Sequence, residues 1–301
     1  MEKETHEETS KYKEEQQEKE MQKNIDNELK HSKSVSGDST KSHGEILKQQ
    51  IIEGQETYNR SPSSIFLSSI TAGLEIGFSY LLLCTVFSFF SDYLDEKALF
   101  KLMATVYPVG FVLVILGQSI LFTEQTSLLT LPWLNNKRSI KSLLKIWGIV
   151  ILGNLIGGYI MSFILIWIGP KLGIFEHNAI EKIAHHVTDY NGIVIFISAI
   201  LAGWLMGLLS WLITSSRDTM SRIFMIYFVT GTMAFTGLHH SIVGNVEVFS
   251  GLIVSSKITF LDYLKFQCFA IIGNSIGGVV FVALLKYRAF VTNINFDRNN
   301  Y

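Results

Sequence analysis

The apolar part of this 301-residue chain repeats itself. Ala72-Gly73-x3-Gly77 recurs as Ala202-Gly203-x3-Gly207, and Gly153-Asn154-x2-Gly157-Gly158 recurs as Gly273-Asn274-x2-Gly277-Gly278, at offsets of 130 and 120 residues. Small residues let helix backbones approach one another in lipid, and many transport folds are internal repeats of membrane segments. A water-soluble core has no comparable reason to reuse a small-residue pattern at that distance. The repeat therefore points to a pore or carrier made of two related halves.

Charge divides the chain near residue 61. Residues 1–60 hold 10 of the 25 Lys and Arg and 14 of the 26 Asp and Glu. Such a segment buries too little apolar surface to offset its ordering entropy, so it is expected to be a mostly disordered cytoplasmic tail, with transient helix through Glu7–Lys33. It begins with charges rather than a short basic region and an apolar core, which predicts no cleavable signal. The expected division is a charged tail over 1–60, a transmembrane domain over 61–290 and a short cytoplasmic tail over 291–301. A formal net charge of −1 predicts no nucleic-acid partner. Cys84 and Cys268 lie in apolar segments without metal or disulfide spacing, so neither a metal nor another cofactor is expected.

Six apolar stretches follow, at about 65–90, 102–134, 143–168, 192–214, 222–255 and 260–286. Each is long enough to cross a bilayer, which takes roughly 20 residues. The second and fifth are too long for simple helices and carry polar runs at their middles: Thr123-Glu124-Gln125-Thr126-Ser127 and Thr236-Gly237-Leu238-His239-His240-Ser241. Non-helical backbone at membrane depth survives only where protein buries it or a cavity bathes it. These two runs are the expected breaks and the candidate site. With the charged tail inside, nine Lys and Arg fall on the cytoplasmic face and six on the other, which favours both termini inside. Three spans per half then make the repeat inverted.

An imidazole at mid-membrane is costly unless paired or wet, and its charge is easily changed, so His239 and His240 mark a functional site; a helix-bridging hydrogen bond is the plainer role for one of them. His185 and His186, beside Asp189, read as solvated loop residues. Thr123 offers a hydroxyl at a helix end suited to an anion, or a simple cap. Glu75, Glu124 and Glu247 could relay protons or hold helices together. Metal ligation by His239 and His240 is disfavoured, because adjacent helical positions diverge by about 100°, and no enzymatic role is expected.

At these residues the chain resembles the formate/nitrite transporter family. Leu121-Phe122-Thr123 is similar to its Leu-Phe-Thr loop, Gly237-x2-His240-Ser241-Ile242 to its loop around a central histidine, and Gly153-Asn154-x2-Gly157 to its third-helix motif. The resemblance spans about residues 65–287. It implies an all-α integral membrane protein, aquaporin-like, with six transmembrane helices in an inverted 3+3 repeat whose second and fifth helices are broken. It also implies a homopentamer in the inner or plasma membrane, with a pore in each protomer.

The substrate implied is a small monovalent anion or its conjugate weak acid, such as formate or nitrite, with proton coupling at the central histidine. A water or neutral-solute channel of the same architecture is the alternative. The resemblance puts Thr123 and His240 at the pore centre, His239 beside them, and the constrictions at Tyr107, Phe111, Met233, Leu121 and Phe122. Departures from the family pattern mark a divergent branch. His239 precedes the central histidine where Glu or Gln is common, Gly244 adds a residue before Asn245, Gly203 replaces a fourth-helix Asn, and Glu124-Gln125 replace small residues.

Overall fold

The computed structural model describes residues 2–31 and 41–299. Among these it is all helix and connecting loop, in the order α1 (Glu2–His31), α2 (His43–Asn59), α3 (Pro62–Phe90), α4 (Glu96–Met103), α5 (Pro108–Leu116), α6 (Phe122–Leu134), α7 (Ile140–Lys171), α8 (His177–Thr188), α9 (Gly192–Ser215), α10 (Thr219–Phe235), α11 (Ser241–Val254), α12 (Phe260–Gly278), a π-helical turn (Val279–Leu284) and α13 (Leu285–Asn299). Long apolar helices start where a polar linker supplies a cap. Ser61 caps α3 with Pro62 at the first helical position, Ser139 caps α7, Asn191 caps α9, and Thr259 makes a reciprocal capping box with Asp262 at α12.

Among the described residues, five stretches are long and apolar enough to cross a membrane: Pro62–Phe90, Glu96–Leu116, Ile140–Lys171, Gly192–Ser215 and Phe260–Ile294. The fifth apolar stretch of the sequence is instead divided between α10, with 17 residues, and α11, with 14. The repeated glycines lie where long helices touch. A Cβ on Gly73 would lie 2.9 Å from the Cα of Gly157, so α3 packs on α7 backbone to backbone. A Cβ on Gly203 would lie 2.5 Å from the Cα of Asn274, and α9 and α12 pack in the same way.

The structure corrects two expectations. Within the segment read as a disordered tail, His43–Asn59 is a helix closed by a capping box between Ser42 and Glu45. Its Ile46, Leu47 and Ile51 are buried in one cluster with Leu131, Trp211 and Tyr287. The average charge of 60 residues concealed one amphipathic helix whose apolar positions fall on a single face. At the other end, α13 runs through residue 290 without a break, and Val291 is buried. The polar run Thr123–Ser127 is not itself a break either. It lies within α6, where Thr126 and Thr130 hydrogen-bond the carbonyls of Phe122 and Thr126 at 2.6 and 2.7 Å, and the chain leaves helical geometry earlier, between α5 and α6.

Candidate functional site

Each helix break combines one residue in the left-handed region with one buried asparagine. Between α5 and α6, Gln118 turns the chain at φ 58°, and between α10 and α11, Gly237 does so at φ 72°. Asn154 of α7 accepts the Phe122 N–H at 2.8 Å and donates to the carbonyls of Ser69 (2.8 Å) and Ile120 (2.9 Å). Asn274 of α12 does the same for the second break. It accepts the Ser241 N–H at 2.8 Å and donates to the carbonyls of Ala199 (2.8 Å) and His239 (3.1 Å). Lipid could satisfy none of these loop and helix-end groups, so one amide per break does it from a neighbouring helix.

The two breaks meet through side chains. Thr123 Oγ1 lies 2.6 Å from His240 Nε2, and both residues are buried. His240 is also the N-cap of α11, its Nδ1 accepting the Val243 N–H at 3.2 Å. A neutral ring whose Nδ1 accepts carries its proton on Nε2, so the ring donates to Thr123. A second proton would have to displace the cap.

An aromatic ring packs against this pair, with a second ring behind it. Phe111 meets the His240 ring edge to face at 5.2 Å, and Tyr107 lies 5.4 Å from Phe111. Ser79 anchors that segment, donating to the Tyr107 carbonyl at 2.6 Å and accepting the Gly110 N–H at 2.9 Å. Leu121 and Met233 are buried in the same apolar cluster. The Phe122 ring is turned onto Trp147 of α7, edge to face at 5.5 Å.

A cavity of ≈ 680 Å³ runs from the face carrying α4 and α8 down to Tyr107 and His240, with Lys97 and Lys101 among its lining. His239 lines it from another side. Its Nδ1 lies 2.8 Å from Ser198 Oγ, which also accepts the His239 backbone N–H at 3.1 Å, and its ring meets Tyr190 edge to face at 5.2 Å. The two neighbouring imidazoles thus point apart: His240 at Thr123, His239 at α9.

His186 departs from its reading as a solvated loop residue. It sits in the last turn of α8, stacks on Phe100 at 3.6 Å and lines the cavity, because α8 turns Ile180, Ile183 and Ala184 inward. Burial holds its ring below the usual imidazole range, opposed by the nearby Glu96 charge and assisted by that of Lys101. His185 stays on the surface side, 3.2 Å from Asp189.

The three carboxylates separate. Glu247 lines the cavity. Glu124 accepts from Gln125 at 2.6 Å and does not line that cavity. Glu75 lies beside the first break, where a Cβ on Gly117 would come within 3.3 Å of one carboxylate oxygen; the other is buried with no hydrogen bond among the described residues. No cluster of three or more metal-ligating side chains occurs among the described residues.

The family model described as Formate/nitrite transporter matches residues 44–288. The chain belongs to that family. It is similar to the inner membrane protein YfdC of Escherichia coli, 27% identical over 241 residues that cover 78% of this chain and 74% of YfdC. It is also similar to the uncharacterized transporter YrhG of Bacillus subtilis, 32% identical over 62% of this chain and 70% of YrhG. Among solved structures it shares its fold with an FNT family ion channel (TM-score 0.71, 23% identity, 82% of this chain and 98% of that one). It likewise shares its fold with a pentameric formate channel with formate bound (TM-score 0.64, 22% identity, 76% and 98%). This formate/nitrite transporter homologue is therefore a multi-pass membrane protein with relatives that are transporters and channels rather than enzymes.

Its departures have local reasons. At Gly203 the backbone of α12 occupies the space a longer side chain would need. Gly244 lies against the Phe266 ring, where a Cβ would come within 2.6 Å of it. Asn245 keeps buried partners despite the added residue, donating to the Leu155 carbonyl at 3.2 Å and accepting from Tyr263 at 2.7 Å. The sequence reading took the repeated motif chiefly as glycine packing and missed its asparagines. The signal was there, because a buried amide repeated in both halves needs buried partners in both. His186 and Ser198 had no comparable signal, since nothing in their own segments tells which way they face.

Proposed function

We propose that this chain forms a homopentamer in the inner membrane, each protomer passing a small monovalent anion or its conjugate acid, with formate and nitrite as the class. Its six spans would be α3, α4 to α6, α7, α9, α10 with α11, and α12, arranged as two inverted halves with both termini cytoplasmic. The repeated asparagine geometry and the charge bias of the loops support that arrangement, and the pentameric formate channel of like fold supports the assembly and the substrate class.

The observation that carries the reading is the Thr123–His240 pair, where two broken helices converge at the floor of a cavity and under two aromatic rings. Lys97 and Lys101 line the cavity beside Asp95 and Glu96, so the charges near its mouth balance and do not by themselves bar an anion. A bare anion crossing the rings at Tyr107 and Phe111 loses its hydration, whereas the neutral acid loses far less. The His240 Nε2–H and the Thr123 hydroxyl offer polar partners between apolar walls, so permeation couples to a proton. Uptake into liposomes, assayed with formate, nitrite, acetate and water, tests this. Flux of the weak acids that falls as pH rises supports it, and water flux alone returns the site to a neutral-solute channel.

A further inference from the structure

One polar group of the cavity is unused by the reading above. Glu247 lies on α11 seven residues beyond His240, so it sits on the same helical face about two turns nearer the cavity mouth, a rise of ~10 Å. It is 7% exposed and lines the cavity together with Tyr107 and His240. Among the described residues no hydrogen bond and no ion pair reaches its carboxylate; the other carboxylate that lies deep in a half, Glu124, has Gln125 as a partner at 2.6 Å. Leu83, Met103, Ile183 and Phe266 line the same cavity.

The titratable groups that face it are few. Tyr80 and Cys84 of α3 and Tyr107 before α5 are within reach of its charge. His186 of α8, His239 and His240 share its cavity, and Asp95, Glu96, Lys97 and Lys101 lie toward the mouth. None of them forms a pair with it. A bare carboxylate is disfavoured in such surroundings, so its charge state is tied to whatever enters the cavity. An entering anion passes this carboxyl before reaching His240. An ionised Glu247 would repel the anion, whereas a protonated one offers it a hydrogen bond.

We propose that Glu247 is the proton donor of this vestibule, giving its proton to an entering weak-acid anion before the aromatic constriction. The inference rests on the weak-acid reading of the pore. The carboxyl O–H bond breaks as an O–H bond forms on the anion; neutral acid moves on past Tyr107 and Phe111, and the carboxylate left behind takes a proton from hydronium in the vestibule. The net movement is one proton with one anion.

The test is formate uptake by full-length protein in liposomes, against protein-free liposomes, at about pH 5 and about pH 7. Glu247→Gln keeps the shape and a hydrogen-bond donor and cannot give up a proton. At pH 7 its uptake falls more than about tenfold, equivalent to ~1.4 kcal/mol of barrier, while at pH 5, where free formic acid is far more abundant, the loss is much smaller. Glu247→Asp retains the wild-type pH profile at reduced rate.

Unchanged uptake at pH 7 overturns the proposal, and increased uptake would make Glu247 a repelling charge instead. An equal loss at both pH values, in protein that assembles like the wild type, would make its role structural, and a variant that fails to assemble leaves the decision to the Glu247→Asp profile. Absence of wild-type formate or nitrite uptake would instead remove the weak-acid reading itself.

Discussion

The two helix breaks share a frame and differ in what the frame presents. Asn154 and Asn274 make matching sets of three hydrogen bonds. Yet α6 starts at Leu121 with no side-chain cap, whereas α11 starts at His240, whose own ring is the cap. The helices beyond the breaks are also buttressed differently: α2 lies on α6, where Tyr58 donates to the Leu129 carbonyl at 2.9 Å, and α8 lies on α11, where Ala184 fills the space beside Gly251. The frame holds the backbone in both halves, while the imidazoles at the breaks, His239 and His240, belong to the second. Duplication explains the likeness; the single axis shared by Thr123 and His240 explains why the contents differ.

The largest expected effect tests the likeness. Asn154→Ala and Asn274→Ala each leave two buried backbone groups unpaired, the Phe122 N–H and Ile120 carbonyl or the Ser241 N–H and His239 carbonyl, at ~1–3 kcal/mol per group. Both variants should therefore lose several kcal/mol and melt far below the wild type in detergent, by similar amounts. A silent Asn154→Ala beside a disabling Asn274→Ala would show that only the second break depends on its pin.

Next comes α2, which lies on α6 and also on α9 and α13. A chain starting near Ser42 loses Ile25 and Leu29, which are buried in the same cluster, and should melt somewhat below the wild type, whereas one starting near Ser61 also uncovers the surface under Ile46, Leu47 and Ile51 and should melt lower still. Each such side chain is worth ~1.5–3 kcal/mol when buried, partly offset by the entropy of ordering the helix, so a net loss of a few kcal/mol is expected. Equal melting temperatures for the two truncations would return residues 43–60 to the role of a dispensable tail.

The content of the breaks is tested by His240→Asn and Thr123→Val. Asn is a good N-cap, so His240→Asn should hold α11 while removing the titratable ring, and should change the pH dependence of uptake by roughly tenfold or more across the neutral range. Thr123→Val removes the acceptor of the Nε2–H and should cost ~1–3 kcal/mol, with slower flux at every pH. His239→Gln, by contrast, should alter stability more than pH profile, since its partner is Ser198. Loss of the pH profile in His239→Gln alone would exchange the roles of the two imidazoles.

How much of this was legible depends on distance along the chain. The repeat, the helix class and both break regions follow from local patterns of small, apolar and polar residues. That Thr123 and His240 belong together followed from motif resemblance, not from spacing, because 117 residues separate them. The position of the first break was misread by several residues: a polar run suggested it, but Thr126 and Thr130 can satisfy their hydroxyls inside a helix. α2 was hidden by averaging charge over a long segment, although Ser42-x-x-Glu45 before Ile46-Leu47 is a capping signature any local reading could use. The partners of Glu247 could not be read at all, since solitude in a cavity is a property of the packed molecule.

The smallest expected effect concerns how firmly α2 stays in place. His43, at the start of α2, lies between Trp211 (4.9 Å) and Phe290 (6.2 Å), with Nε2 3.0 Å from the Lys286 carbonyl. Burial lowers its affinity for a proton below the free imidazole value of 6.5, the Lys286 carbonyl opposes this and the Lys286 charge adds to it. The docked ring therefore binds fewer protons than the undocked one, so docking is strongest above about pH 6.5 and weakens as pH falls through that value toward the lowered one. The ring is half exposed, so the effect should be severalfold rather than large. Hydrogen exchange of the α2 amides, corrected for intrinsic rates, should speed up between about pH 7.5 and about pH 5.5 in the wild type and not in His43→Gln. If α8 loosens over the same range while α2 does not, the pH-sensitive buttress is α8 rather than α2.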